Sequence, residues 1–160
     1  MKNVKELNDL TEQMPDYSVV NDLVGKELED IRFHQEILML RFEEFDLHIS
    51  GFARIISGSE ILSTTLDYHS WDEQDHKHND MYRNVSRYGE RIIGGKVRSV
   101  ELSPVKDLMI DMDNGIRIEV YNSNGGLFFS GEREQWYLFK PEDEEFPAVW
   151  VCSEQSESIL

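Results

Sequence analysis

Apolar and polar residues alternate along most of the chain, and this alternation is typical of β-strands with one buried face. Leu38, Leu40 and Phe42 are separated by single residues, and the same spacing returns after Glu43 and Glu44. Successive side chains of a strand point to opposite faces, so each run predicts a strand that covers a core. The predicted strands are 38–42, 45–49, 52–56, 60–65, 108–112, 116–120, 135–139 and 148–152.

The strand at 135–139 carries bulky side chains at both sets of alternate positions. Trp136 and Leu138 form one set, and Tyr137 and Phe139 form the other. This composition suits a strand that is covered on both faces. We therefore expect both sets to pack in the core.

Two segments show the spacing of three and four residues that indicates an amphipathic helix. In the first, at 1–15, apolar residues recur from Val4 to Met14, and Pro15 ends the pattern. In the second, apolar residues recur from Met81 to Ile92. Residues 67–79 between the strands and this second helix are polar and predict a loop, and the tail at 153–160 has no periodicity and is expected to be flexible.

The chain contains an internal repeat at a distance of about 70 residues. The segment 23–26 is echoed by 93–96, both ending in Gly-Lys, and each is followed by a predicted hairpin. The second hairpin turns at Asn114-Gly115, a pair that adopts positive φ at little cost. The sequence predicts one domain that is α+β and mostly β, with two related β-hairpin units at 20–66 and 93–152 forming a curved antiparallel sheet or half-barrel. The helices lie at the N-terminus and between the repeats, within 67–92.

Charge narrows the function classes. The 160 residues include 16 Lys and Arg against 32 Asp and Glu, which gives a net charge of −16. Such a chain is not expected to hold nucleic acid phosphates or an anionic membrane surface. It has no apolar run long enough to span a membrane, and its first 14 residues lack the apolar core of a signal peptide. A single cysteine, Cys152, cannot form an internal disulfide, so we expect a cytoplasmic protein.

The segment 68–78 is rich in histidine and carboxylates, which are ligand types for zinc and similar metals. His69, His76 and His78 lie there without any cysteine. A metal needs a fixed ligand geometry that a polar loop does not guarantee. We expect a solvated or partner-binding loop with no metal or other cofactor, and keep a metal-dependent enzyme as the alternative.

Other catalytic patterns are weak. Cys152 lies between apolar neighbours with no histidine close in sequence, which indicates a structural thiol. The segment 94–96 lacks the upstream glycine and the following Ser or Thr of a phosphate-binding loop. Asp111 and Asp113 have the spacing of one strand face, but such pairs arise by chance among 32 acids. The sequence therefore predicts a protein that is not an enzyme.

Two clusters of acidic residues are the candidate partner-binding sites. A dense negative surface captures a basic partner quickly and competes for sites built for nucleic acid phosphates. The competing interpretation is plain solvated surface. The candidate residues are Tyr68, Trp71, Asp72, Glu73, Asp75 and Asp80 in the first cluster, and Glu142, Asp143, Glu144 and Glu145 in the second.

Three segments carry a resemblance to known proteins: 93–100 with its Gly-Lys opening, 107–120 with its Asn-Gly hairpin, and 134–139 with its Glu-x-Trp strand. Across residues 20–152 the chain resembles an uncharacterised bacterial family of small acidic, β-rich proteins with two repeats. This family is similar to the immunity proteins of polymorphic toxin and contact-dependent growth inhibition systems.

The resemblance implies a stoichiometric inhibitor, with no catalytic residues to carry over. An immunity protein of this kind binds its cognate toxin domain and occludes the active site. Many such toxins are nucleases with basic substrate grooves, which fits the acidic charge. We expect a protein that is monomeric when free, with a generic cytosolic interaction module as a further alternative.

Overall fold

The computed structural model describes residues 16–123, 133–142 and 149–153. These residues form ten β-strands and three helical segments. Two segments are 3-10 helices, at Tyr17–Leu23 and Thr65–Ser70, and the third is an α-helix, α1, at Asp80–Ile92. The strands are β1 Leu28–His34, β2 Ile37–Phe42, β3 Phe45–Ile49, β4 Phe52–Ser57, β5 Glu60–Thr64, β6 Val97–Leu102, β7 Leu108–Met112, β8 Ile116–Tyr121, β9 Arg133–Phe139 and β10 Val149–Ser153.

The strands are divided between two antiparallel sheets of five strands each. The first sheet has the order β1-β2-β3-β9-β10, and the second has the order β5-β4-β8-β7-β6. Each repeat therefore places its first three strands in one sheet and its last two in the other. The mostly β class is confirmed, but two sheets replace the single curved sheet or half-barrel, because the closing hairpin of each repeat pairs with the opposite repeat.

The two repeats meet through a symmetric set of backbone hydrogen bonds. Gly25 N–H donates to the carbonyl of Val97, and Gly94 N–H donates to the carbonyl of Leu28, both at 2.8 Å. Gly25 and Gly94 have φ of 86° and 93°, a region that favours glycine. The structural equivalent of Gly25 is thus Gly94 and not Gly95, so the repeat distance at this point is 69 residues.

The inner faces of both sheets contribute to one hydrophobic cluster. Trp136, Phe42 and Phe45 are the largest side chains that are fully buried in it. Trp136 and Leu138 are both 0% exposed, as the alternation on β9 requires, and this apolar burial is the main force that stabilises the fold. The prediction for the other face of β9 needs correction: Tyr137 and Phe139 are only half-buried.

The structure confirms one of the two predicted helices and changes the predicted loop before it. Helix α1 is confirmed, and its first turn is capped by Asn79, whose side chain accepts a hydrogen bond from Tyr82 N–H at 2.8 Å. The predicted loop at 67–79 instead begins inside the second 3-10 helix, because Asp67 accepts the N–H of Thr64 at 2.9 Å and closes a capping box. The predicted helix at 1–15 lies outside the described residues. Of the predicted flexible tail at 153–160, only Ser153 is described, and it is instead the last residue of β10, where it pairs with Arg133. Among the helices of the described part, none is long and apolar enough to cross a membrane.

Candidate partner-binding surfaces

Asp72, Glu73 and Asp75 of the first acidic cluster lie on a loop at 71–79, which we call the acidic loop and which is held by hydrogen bonds between its own residues. The Asp72 carboxylate accepts from Gln74 N–H at 2.9 Å and lies 2.7 Å from His78 Nδ1. These contacts, that of Gln74 foremost, hold the pKa of Asp72 below its usual value. Asp75 accepts from Lys77 N–H at 2.9 Å, which lowers the pKa of Asp75 in the same way. The carboxylates of Asp72 and Asp75 are therefore ionised and held in place at neutral pH.

An aromatic pair stands at the start of this loop. The rings of Tyr68 and Trp71 are stacked, with centroids 5.7 Å apart. Trp71 Nε1 donates to the carbonyl of Asp75 at 2.9 Å, so the indole is tied to the acidic turn. Both rings are half-buried and leave part of their surface to solvent. The structure thus brings the two predicted anchors and the predicted acids together.

The remaining acids of the cluster have different surroundings. Glu73 is exposed at φ 63°, the left-handed region that few residues other than glycine adopt. Asp80 is exposed and pairs with Arg83 at 2.9 Å, one turn along α1. Asp67 instead turns inward and accepts from Asn84 Nδ2 at 2.9 Å, so it supports the fold. The outward carboxylates are those of Asp72, Glu73, Asp75 and Asp80.

The histidines of this region are paired one by one with different carboxylates. His69 Nε2 lies 3.6 Å from Glu36, and His78 Nδ1 lies 2.7 Å from Asp72. His76 is 80% exposed in its side chain and lies beside Asp75. Within the described ranges, no three side chains of His, Cys, Asp or Glu are grouped as metal ligands.

One residue of the second acidic cluster, Glu142, borders a surface groove of about 420 Å³. Glu142 lines this groove together with Glu29, Glu44 and Asp46. Two of these carboxylates have cationic partners: Asp46 pairs with Arg41 at 3.3 Å and Glu44 pairs with a lysine at 2.9 Å. Asp143, Glu144 and Glu145, predicted with Glu142, lie outside the described residues.

The acidic loop follows a helix that contacts one end of β2, and the groove at Glu142 lies at the other end of β2. His69 belongs to the second 3-10 helix, which ends directly before the acidic loop, and its contact with Glu36 places that helix beside the turn that joins β1 to β2. The groove instead lies at Glu44, in the turn that joins β2 to β3. Since β2 has six residues, the two turns are roughly 20 Å apart at about 3.3 Å per residue.

A row of apolar and aromatic side chains crosses the outer face of the first sheet between these ends. In the strand register Met39 pairs with His48, and His48 pairs with Tyr137. His48 Nδ1 and the Tyr137 hydroxyl share a hydrogen bond of 2.7 Å, and the rings of Tyr137 and Phe139 are stacked 5.4 Å apart. Burial lowers the pKa of His48, although the negative charge of nearby Asp46 acts to raise it. Burial also raises the pKa of Tyr137. We call Met39, His48, Tyr137 and Phe139 the aromatic face; sequence reasoning missed it because it assigned the bulky residues to the core.

The corresponding face of the second sheet carries an ion-pair network. Glu119 accepts hydrogen bonds from Arg54 and Arg117, and Arg117 also pairs with Asp111 at 2.7 Å. Burial raises the pKa of Glu119, but the two guanidinium groups outweigh it and hold this pKa below its usual value. The charges on this face therefore satisfy one another.

The other candidate groups have structural roles. Asp111 is held by Arg117, and Asp113 accepts from Lys96 N–H at 2.9 Å in the turn after β7. Gly94 and Gly95 join the repeats through backbone pairing. Cys152 lies on β10, as its apolar neighbours predicted.

No protein-family model, no curated protein and no solved structure matches this chain.

Proposed function

We propose that this protein is an immunity protein that acts in the cytoplasm as a stoichiometric inhibitor. It binds a cognate bacterial toxin domain, a nuclease with a basic groove, and occludes the active site with an acidic surface. The observation that carries this proposal is the preformed acidic loop. Asp72, Glu73 and Asp75 are exposed, and the loop's internal hydrogen bonds hold Asp72 and Asp75 in place.

The physical basis is electrostatic mimicry of the substrate. A nuclease groove offers Lys and Arg to phosphates, and carboxylates with fixed spacing compete for the same groups. A loop that is ordered before binding loses little conformational entropy in the complex. The net charge of −16 also accelerates the encounter with a basic partner.

The alternative of a metal-dependent enzyme can be separated from this proposal by metal analysis. His69 and His78 pair with carboxylates on different segments, which gives no shared ligand set. Protein purified without a His tag should hold well below one equivalent of zinc, nickel or copper. One tightly held equivalent would favour the enzyme over the inhibitor.

The decisive experiment is co-expression with a candidate toxin domain from a neighbouring gene, scored by rescue of growth. Neutralising the loop as Asp72→Asn, Glu73→Gln and Asp75→Asn should weaken rescue and slow association with the purified toxin domain. Association of the parent should also slow with added salt, because the Debye length falls from about 10 Å at 0.1 M to about 3 Å at 1 M. Dissociation should change less.

A matched control removes the same charge elsewhere. Asp22→Asn, Glu90→Gln and Glu101→Gln together neutralise three exposed acids outside both clusters. This variant should rescue growth as well as the parent. Absence of rescue by the parent would reject the immunity function, and a generic interaction module would then remain. Equal weakening by both triple variants would reject the loop as the contact and leave only a net-charge effect.

A further inference from the structure

We propose that the aromatic face is the central contact surface for a basic protein partner, with the acidic loop and the groove at Glu142 forming the rim. This inference rests on the proposed function, since it identifies where the toxin domain sits. The juxtaposition that carries it is a half-buried set of rings lying between two groups of exposed carboxylates.

Because of the internal repeat, each position of the aromatic face has an equivalent position on the second sheet with which it can be compared. Met39 pairs with His48 in the first sheet as Met109 pairs with Glu119 in the second, so His48 and Glu119 are equivalent. His48 then pairs with Tyr137 where Glu119 pairs with Arg54. The same position of the fold thus holds an ion pair on one sheet and two partly exposed rings on the other.

The difference has a physical consequence for binding. On the second sheet Glu119 and Arg117 are neutralised within the face, so a partner would have to desolvate satisfied charges there. On the first sheet one ion pair, Arg41 with Asp46, lies beside Phe139. Tyr137 and Phe139 are stacked there, and covering them further removes apolar area from water. Rigid aromatic residues are enriched in the energetic centres of protein interfaces.

The size of the face requires a partner that also reaches the acidic ends. Five strands at a spacing of about 4.8 Å span roughly 19 Å, and strands of about five residues are roughly 17 Å long, which gives roughly 320 Å². A standard interface buries about 800 Å² on each partner. The contact must therefore extend past the rings onto the groove at Glu142, the acidic loop, or both.

Charge selects the kind of partner. The rim contributes Asp72, Glu73 and Asp75 at one end. At the other end the groove has four acids and two cations in its lining, an excess of two acids: Glu29, Glu44, Asp46 and Glu142 against Arg41 and Lys140. A partner with Lys and Arg around an apolar centre complements this arrangement. A second copy of this chain would bring another net charge of −16 to the same rim, and like charges at an interface cost free energy.

The test compares equivalent outward positions on the two sheets. Phe139 pairs with Asp46, and Ile56 pairs with Arg117 at the corresponding place, so Phe139→Ser and Ile56→Ser each shorten one half-buried apolar side chain. Binding is measured by calorimetry with a catalytically inactive form of the neighbouring toxin domain. We expect Phe139→Ser to raise the Kd at least about tenfold, and Ile56→Ser to change it less than about twofold.

Further variants and measurements make each outcome decisive. Tyr137→Phe keeps the ring and should bind within about threefold of the parent, which separates loss of apolar contact from loss of the His48 hydrogen bond. Circular dichroism and thermal melting must show that Phe139→Ser is folded; if it is not, protection of Tyr137 and Phe139 from hydrogen exchange in the complex replaces it as the readout.

The results distinguish this inference from the proposed function. A parent that fails to bind the toxin domain rejects the proposed function. A parent that binds, with Phe139→Ser binding equally well or with no protection of β9, rejects the aromatic face alone. Sedimentation that shows a dimer of the free parent, converted to a monomer by Phe139→Ser, would assign the face to self-association instead.

Discussion

The side chain of Asn114 gives the sharpest test of the structure, because it serves a helix that is distant in sequence. Asn114 Nδ2 donates to the carbonyls of Arg91 and Ile92, both at 3.1 Å, and Oδ1 accepts from Ile116 N–H at 3.2 Å. The two carbonyls belong to the last turn of α1, where backbone acceptors have no helical partner. Asn114 is thus both a turn residue and a cap for α1.

The expected magnitudes follow from these contacts. A neutral hydrogen bond contributes about 0.5–1.5 kcal/mol, so Asn114→Ala should cost about 1–3 kcal/mol of unfolding free energy through the two bonds to the helix. Asn114→Asp keeps the acceptor for Ile116 but replaces the donor with a carboxylate oxygen that faces two carbonyls. An anion at the negative end of a helix costs about 0.3–1 kcal/mol more, so Asp should be worse than Ala.

Thermal and urea unfolding at pH 7 provide the measurement. For a chain of this length 1 kcal/mol corresponds to about 2–4 °C in Tm. The control is Asn21→Asp, which adds the same charge at an exposed position and should stay within about 0.5 kcal/mol of the parent. Asp is as favourable as Asn in a turn of this kind. Equal stability of the parent and Asn114→Asp would therefore show that only the turn matters and refute the cap.

Three other predictions concern backbone strain and titration. Gly115→Val should lower unfolding free energy by about 1–3 kcal/mol, because Gly115 has φ 80° while an added Cβ meets nothing within 4 Å; an unchanged Tm would contradict this. Glu119→Gln should lower the Tm at pH 7 more than Glu101→Gln, and this gap should narrow below about pH 4, because the depressed pKa of Glu119 stabilises the fold only while the carboxylate is ionised. The pKa of His48, measured by NMR, should lie below about 6.5, so the parent should lose stability as pH falls below that value more steeply than His48→Gln; a raised pKa would refute the role of burial.

Much of the secondary structure could be predicted from the sequence because it depends on local periodicity. The alternation at 45–49 and 116–120 matches β3 and β8, and the helical spacing from Met81 to Ile92 matches α1. Strands β1 and β6 were missed because a bulge interrupts the alternation in each, between Leu28 and Asp30 and between Val97 and Ser99. The Asn-Gly turn was correctly placed, but only Gly115 adopts positive φ.

The acidic residues of the candidate site could also be named in advance, since charged side chains remain at the surface. Sequence spacing gave Tyr68, Trp71 and Asp72 as neighbours, and the structure stacks the two rings beside the acidic turn. That they bind a partner stays a prediction. The inward role of Asp67 could not be inferred, because it depends on Asn84 in the next helix.

Only the tertiary structure decided which face of each strand is exposed and which distant strands are neighbours. The hairpin β4–β5 pairs with β8, and β9–β10 pairs with β3, and such pairings between distant segments leave no local pattern in the sequence. This exchange puts Trp136 in the core and Tyr137 on the outside, although both are bulky aromatic residues. It also brings Met39, His48, Tyr137 and Phe139 together on the outer face of the first sheet, because a strand's exposed side is set by the sheet that it joins and not by its own composition.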